Sequence, residues 1–228
     1  SRTLARLIVT FTDSHAHTPQ YNAAAADAFK RATVYRHIAW VNALRMQLRG
    51  QMDVDALAPY LDAAEVAALR EAPSKPGALL LMQGRCIYDA MAAGTLQGFD
   101  SFQLEGQLAA LASQQAICER IKLMPVPRQY DYFTRLIVWI FILLTPLALV
   151  GTLVREGVGF WLAPLTLVLA FVFAIVQRTG EVNEDPFANQ ITDVPMSAMC
   201  RSIERDVRAT LGERDLPPKL EPQDGYLW

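Results

Sequence analysis

Cysteine and histidine are scarce in this chain. Of its 228 residues, 3 are cysteine and 3 are histidine. Cys86, Cys118 and Cys200 are odd in number and far apart, and none forms a Cys-x-x-Cys pair or stands at ligand spacing from a histidine. That argues against a disulfide framework and a structural zinc site, and it fits a reduced, cytoplasm-facing environment. An excess of one charge is missing too. The formal net charge of -2 provides no basic surface for nucleic acid. Nowhere does the chain alternate apolar and polar residues with period two, and no turn dipeptide joins two β-branched runs, so strands are not expected. A repeat of fixed period is absent as well. The opening Ser1-Arg2-Thr3-Leu4 has neither a Met nor the basic and apolar regions of a secretory leader. It reads as the middle of a helix, and the expectation is that the sequence starts inside a longer protein.

What the chain does have is two long apolar runs. Residues 136–154 and 157–176 carry no charge and are parted only by Arg155 and Glu156. The apolar fraction of 52% and mean hydropathy of +0.17 come largely from them. A hydrocarbon layer of about 30 Å takes roughly 20 helical residues, which is the length of each run. Backbone amides in lipid must pair internally, so each run is read as a transmembrane helix and the pair as a hairpin. Tyr130, Tyr132 and Phe133 with Arg135 form an interfacial belt ahead of it. Trp161 lies near its tip, and Trp139 and Trp40 read as anchor and core. Pro146 and Pro164 fall near the middle of the two runs, which implies packing against other helices. Arg120, Lys122, Arg128 and Arg135 precede the hairpin and Arg178 follows it. The positive-inside rule therefore puts both ends, and the bulk of the chain, in the cytoplasm.

The flanks read as helices. Leu4, Leu7, Ile8 and Phe11 predict one over about 1–18. A second is expected over 23–49, with Phe29, Val34, Ile38 and Val41 forming a stripe and Gly50 as the stop. Arg31, Arg36, Arg45 and Arg49 decorate it, either as a solvated face or as partners for carboxylates elsewhere. Asp62 and Glu65 have the spacing of a capping box, opening a short helix to Glu71. Helices over 78–92 and from a cap at Asp100 or Ser101 follow. Leu104, Leu108, Leu111, Ile117 and Ile121 are predicted to face one way. Asp193 is the predicted cap of a helix over 194–211, and the Pro-rich tail from 216 is extended. His15, His17 and His37 stand apart from acids, so surface or packing roles are expected.

Several motifs in order carry a resemblance across nearly the whole chain. They are Cys118-Glu119-Arg120-Ile121, Pro125-Val126-Pro127, the apolar hairpin, Glu184-Asp185-Pro186-Phe187 and Asp193-Val194-Pro195-Met196. Together they resemble the bacterial branch of the bestrophin family. That resemblance implies an all-α integral membrane fold and a homopentamer. Each subunit would combine cytosolic helices (1–135), a transmembrane hairpin (136–176) and a cytosolic helix with an extended tail (177–228). It also implies two further membrane segments upstream, the second lining an apolar pore neck. The implied activity is passive flow of small inorganic ions, chloride and other anions favoured, through a central pore. No catalysis, cofactor or metal is implied. The implied partners are further copies of the chain, membrane lipid and the ions, in a bacterial inner membrane. Two departures stand out. Ala188 replaces the usual Gly, and Asn189-Gln190-Ile191-Thr192 replaces the acidic run that binds calcium in eukaryotic members.

The resemblance implies that Val126, held between Pro125 and Pro127, points into the pore as an apolar constriction, with Ile121 or Met124 as the alternatives in register. A ring of such side chains gates by dewetting. Read by pattern alone, Val126 packs in a turn. Glu181, Glu184 and Asp185 form a carboxylate cluster where the hairpin returns. Without a His, Ser or metal partner it is not an acid–base pair. It is either fixed charge beside an ion path or a structural cluster. The adjoining Pro186-Phe187 corner favours the structural reading. The competing function is a membrane-anchored cytosolic scaffold or regulatory protein without transport.

Overall fold

The computed structural model describes residues 1–17, 21–123, 128–182, 185–223 and 225–227. The described residues are helical, with no strand; one isolated bridge joins Gln223 to Tyr226. The helices are α1 (Arg2–Ser14), α2 (Ala23–Leu48), α3 (Ala63–Glu71), α4 (Lys75–Ala92), α5 (Gly98–Leu123), α6 (Arg128–Arg155), α7 (Leu162–Val182) and α8 (Met196–Thr210). They divide into two compact units, Ser1–Arg120 with Phe187–Trp228, and Ile121–Pro186.

The first unit is built around α2. Asn22 caps it, its Oδ1 accepting the Ala25 N–H at 3.2 Å. From Thr33 to Met46 most residues are buried, polar ones such as Arg36 and His37 included. Of the two expectations for its arginines, a solvated face or carboxylate partners elsewhere, Arg36 and Arg31 take the second, paired with Glu65 and Glu213, and α2 is packed by α1, α4 and α8. One cluster joins Leu4 and Ile8 of α1, Phe29 and Ile38 of α2, Ile87 of α4, Leu104 and Leu108 of α5, and Val207 of α8. A second gathers Trp40 and Met46 with Leu57, Leu69, Leu79 and Cys200. Each fully buried Leu or Ile contributes about 1.5–3 kcal/mol relative to leaving it in water.

Local signals place most helix starts. Asp62 and Glu65 form the capping box in both directions, at 2.7 and 3.1 Å. Ser74 caps α4, so this helix starts at Lys75 rather than 78, with Pro76 in a first turn that needs no N–H from it. α1 ends at Ser14, short of the expected 18. The predicted cap at Asp193 is not formed: Pro195 holds the N-cap of α8 without a side-chain bond. Asp193 instead folds back, its Oδ2 accepting the Gln190 N–H at 2.9 Å. On α5, Leu104 and Leu108 are buried but Ile117 and Ile121 are 51% and 47% exposed, so the predicted single face does not hold along the helix.

The second unit is the hairpin. α6 and α7 pack on each other, with Phe141 and Phe173 edge to face at 4.7 Å. Residues Tyr132–Arg155 and Gly159–Gly180 are long and apolar enough to cross a membrane, and neither segment is buried within the chain. Pro146 lies inside α6 and withholds the N–H that Ile142 would accept. Beside it, Thr145 Oγ1 donates to the Phe141 carbonyl at 2.7 Å. Pro164 is not mid-helix as expected. α7 begins at Leu162, so Pro164 sits in its first turn, where the missing donor costs no bond.

Candidate functional site

Of the residues marked at the hairpin flanks, Met124, Pro125, Val126, Pro127 and Glu184 lie outside the described residues. Glu181 ends up in the last turn of α7, and its side chain is likewise outside the description. Ile121 is near the C-terminal end of α5 and half-exposed. Asp185 does not stand as a free carboxylate: Lys122 Nζ donates to its Oδ2 in a partly exposed ion pair. The pair ties the entrance of the second unit to its exit, 63 residues later in sequence. Pro186 is half-buried, and Phe187, in the first unit, is buried. Among the described residues no group of three or more His, Cys, Asp or Glu could hold a metal.

The hairpin's outer surface is apolar. Trp139, Leu143, Leu147, Leu167, Phe171 and Val176 are all exposed. Trp161 at the tip sits against Phe160, ring centroids 5.4 Å apart. A soluble surface seldom presents so large a contiguous apolar patch, and lipid or protein must cover it.

The first unit holds polar groups that spacing did not reveal. Arg36, buried on α2, donates through Nε to Glu65 Oε1 at 2.6 Å. Glu65 thereby joins a helix cap to a buried cation. A second network closes on Glu213, just beyond the end of α8. Gly212, at φ +82°, turns the chain back, and the Glu213 N–H bonds to the Arg208 carbonyl at 3.2 Å. Positive φ is open to Gly at little cost. Glu213 then accepts from Tyr35 Oη at 2.8 Å and Arg208 Nε at 2.6 Å. Burial alone would raise the Glu213 pKa, but those two hydrogen bonds outweigh it and hold the carboxyl below its ordinary value. Tyr60 donates to Glu204 at 3.1 Å, and burial first, then this carboxylate, push its pKa up to about 12.

The histidines divide. His15 does meet an acid, against expectation: its Nε2 lies 2.6 Å from Asp100 Oδ2. The two are 85 residues apart in sequence, which is why no spacing pattern shows the pair. Asp100 also accepts the Gln97 N–H at 3.4 Å, so it serves the start of α5 as well. His37 is buried and stacked on Trp40 at 5.3 Å. Neither ring nitrogen has a partner among the described residues, and burial pushes its pKa down to about 3. Trp40 itself donates to Gln115 at 3.1 Å. The core role expected of Trp40 holds, and its polar partner, 75 residues away in sequence, shows only in the fold.

Comparisons with known proteins agree with this architecture. The sequence pattern of the family described as bacterial/fungal bestrophin protein matches residues 1–209. A voltage-dependent anion channel-forming protein of Salmonella typhi, YneE, is 30% identical over 190 residues, 83% of this chain and 60% of that protein. Another protein so described, from Mesorhizobium japonicum, is 30% identical over 203 residues, 88% of this chain and 62% of its own. The chain thus spans less than two thirds of the length of these relatives. The crystal structure of a bacterial bestrophin homolog from Klebsiella pneumoniae aligns with a TM-score of 0.80 at 26% identity, covering 93% of this chain and 73% of that one.

Proposed function

The chain belongs to the bacterial and fungal bestrophin family, and on that premise we propose that it is a subunit of an anion channel. Five copies surround a central pore and pass chloride and similar small anions passively. The observation that carries this reading is the kinship with relatives named voltage-dependent anion channel-forming proteins, extending over 83% of the chain. The bare apolar surface of α6 and α7 supports it, since lipid and neighbouring subunits would cover that surface. Cytosolic helices, hairpin and tail act as one subunit in a bacterial inner membrane, with both hairpin ends on the cytoplasmic side.

Control of flow resides in apolar constrictions rather than in chemistry. Val126 supplies one ring of five side chains, with Ile121 or Met124 taking that place if the register is shifted. Pro125 and Pro127 hold the turn, and Pro186 with Phe187 anchors the hairpin's return. Asp185, Glu184 and Glu181 act structurally, a role that the Lys122–Asp185 pair supports. Reconstituted full-length protein is expected to release chloride from liposomes and to run as a pentamer in native mass analysis. Val126→Ala is expected to raise conductance by widening the dewetted ring. Unchanged conductance and selectivity in that variant would remove Val126 from the pore.

A further inference from the structure

Arg45 and Arg49 lie one turn apart on α2 and aim at a single oxygen. Nη1 of Arg45 donates to Ser197 Oγ at 3.4 Å, and Nη1 of Arg49 donates to it at 2.8 Å. A hydroxyl carries only a partial charge and cannot offset two guanidinium ions. Neither arginine forms an ion pair with a carboxylate among the described residues, in contrast to Arg36, which has Glu65. Arg45 has two further neutral partners, Asn42 Oδ1 at 3.5 Å and the Cys200 thiol. The Nε atoms of both arginines are buried without an acceptor. Asp193 acts on Arg49 through its field, with no ion pair between the two among the described residues, and its Oδ2 accepts the Gln190 N–H. Burial first, and then the like charge of Arg45, hold the Arg49 pKa below its ordinary value. The fields of Cys200 and Asp193 act the other way and offset this only in part.

A third positive feature converges there. Ser197 stands in the first turn of α8, a helix of 15 residues with no side-chain cap and no acidic residue in that turn. The Met196 N–H is taken by Val194 O and the Met199 N–H by Pro195 O, leaving the Ser197 and Ala198 amides without a backbone acceptor among the described residues. The positive end of the helix dipole thus adds to the two guanidinium groups.

We propose that Arg45, Arg49 and the first turn of α8 bind a phosphate group, carried either by free inorganic phosphate or by a phosphomonoester lipid headgroup. Two planar donor forks and two free amides suit a tetrahedral, doubly charged oxyanion. Ser197 Oγ now holds the position that one phosphate oxygen would take between the forks. Arg45, Arg49 and Ser197 all belong to the first unit, and phosphate binding is read without any measurement of ion flux, so its failure and that of the channel reading are distinguishable.

The test uses full-length protein in nanodiscs, titrated with inorganic phosphate against chloride at matched ionic strength. Binding is followed by equilibrium dialysis and by hydrogen exchange of residues 196–199. Phosphate is expected to bind and to slow exchange there where chloride does not. Arg45→Gln and Arg49→Gln should each weaken binding about tenfold or more, given the strength of charge-assisted forks. Ser197→Asp controls for folding. Its carboxylate would fill the site, so the variant should melt higher than the parent and bind no phosphate. Nanodiscs with and without phosphatidic acid, in phosphate-free buffer, separate the sources: slowed exchange with phosphatidic acid alone assigns the headgroup, and slowing that needs added phosphate assigns the free ion. The proposal is overturned if neither form slows exchange more than chloride does. It is equally overturned if both Gln variants bind as the parent does, or if Ser197→Asp still binds phosphate.

Discussion

The two units solve the burial of apolar side chains in opposite ways. In the first, Leu104, Ile38 and Leu79 are sealed by neighbouring helices, and even His37 and Arg36 are drawn inside. In the second, α6 and α7 touch along one line and leave residues such as Leu143, 72% exposed, facing outward. The same residue type therefore means different things. A leucine in the first unit stabilises a fold within the chain, whereas a leucine in the second demands a lipid or protein neighbour.

A matched pair of truncations breaks or sharpens this contrast most strongly. Leu104→Ala is expected to cost about 2–5 kcal/mol in chemical unfolding, because a rigid core keeps the cavity. Leu143→Ala is expected to leave the same transition nearly unmoved, because lipid flows into the gap. Equal losses at both sites would mean that the hairpin is packed within protein. The next largest effect comes from charge. Leu143→Lys, near the centre of α6, should oppose membrane insertion by about 3 kcal/mol in a translocon assay. Unhindered insertion would place Leu143 in a wet or protein-lined position.

A smaller effect, confined to the first unit, depends on pH. The folded His37 stays neutral down to about pH 3, whereas its unfolded counterpart takes up a proton near pH 6.5. The unfolded state therefore binds more protons in this window. Stability is full above about pH 6.5 and falls as the pH drops toward 3, by about 1.4 kcal/mol per pH unit. His37→Leu should flatten that slope in denaturant titrations between pH 6.5 and 4. A slope unchanged by the substitution would show that His37 is hydrated and protonates in the fold.

Legibility in the sequence followed the range of the interaction. The hairpin could be read because a long uncharged run is itself the signal, and the family motifs lie along one stretch of chain. The Asp62–Glu65 capping box could be read because its partners are three residues apart. Arg36 with Glu65 and His15 with Asp100 could not, being 29 and 85 residues apart and joined only by the packing of whole helices. Asp193 misled because two local uses compete for one carboxylate, a helix cap and a turn, and Pro195 takes the cap position. Pro164 misled because the apolar run starts before the helix does: the short turn Gly159–Trp161 intervenes and moves the proline into a first turn. Ile117 and Ile121, expected to share a face with Leu104, stand roughly 140° and 100° away from it around α5 at about 100° per residue, so a list of apolar residues was mistaken for a stripe and both are exposed.

The central claim, that this family member conducts anions, is tested most directly by a reversal potential. Full-length protein in a planar bilayer, with a chloride gradient across it and a large impermeant cation, should reverse close to the chloride equilibrium potential. A reversal at the cation's potential in sodium chloride, or no protein-dependent current at all, would contradict it.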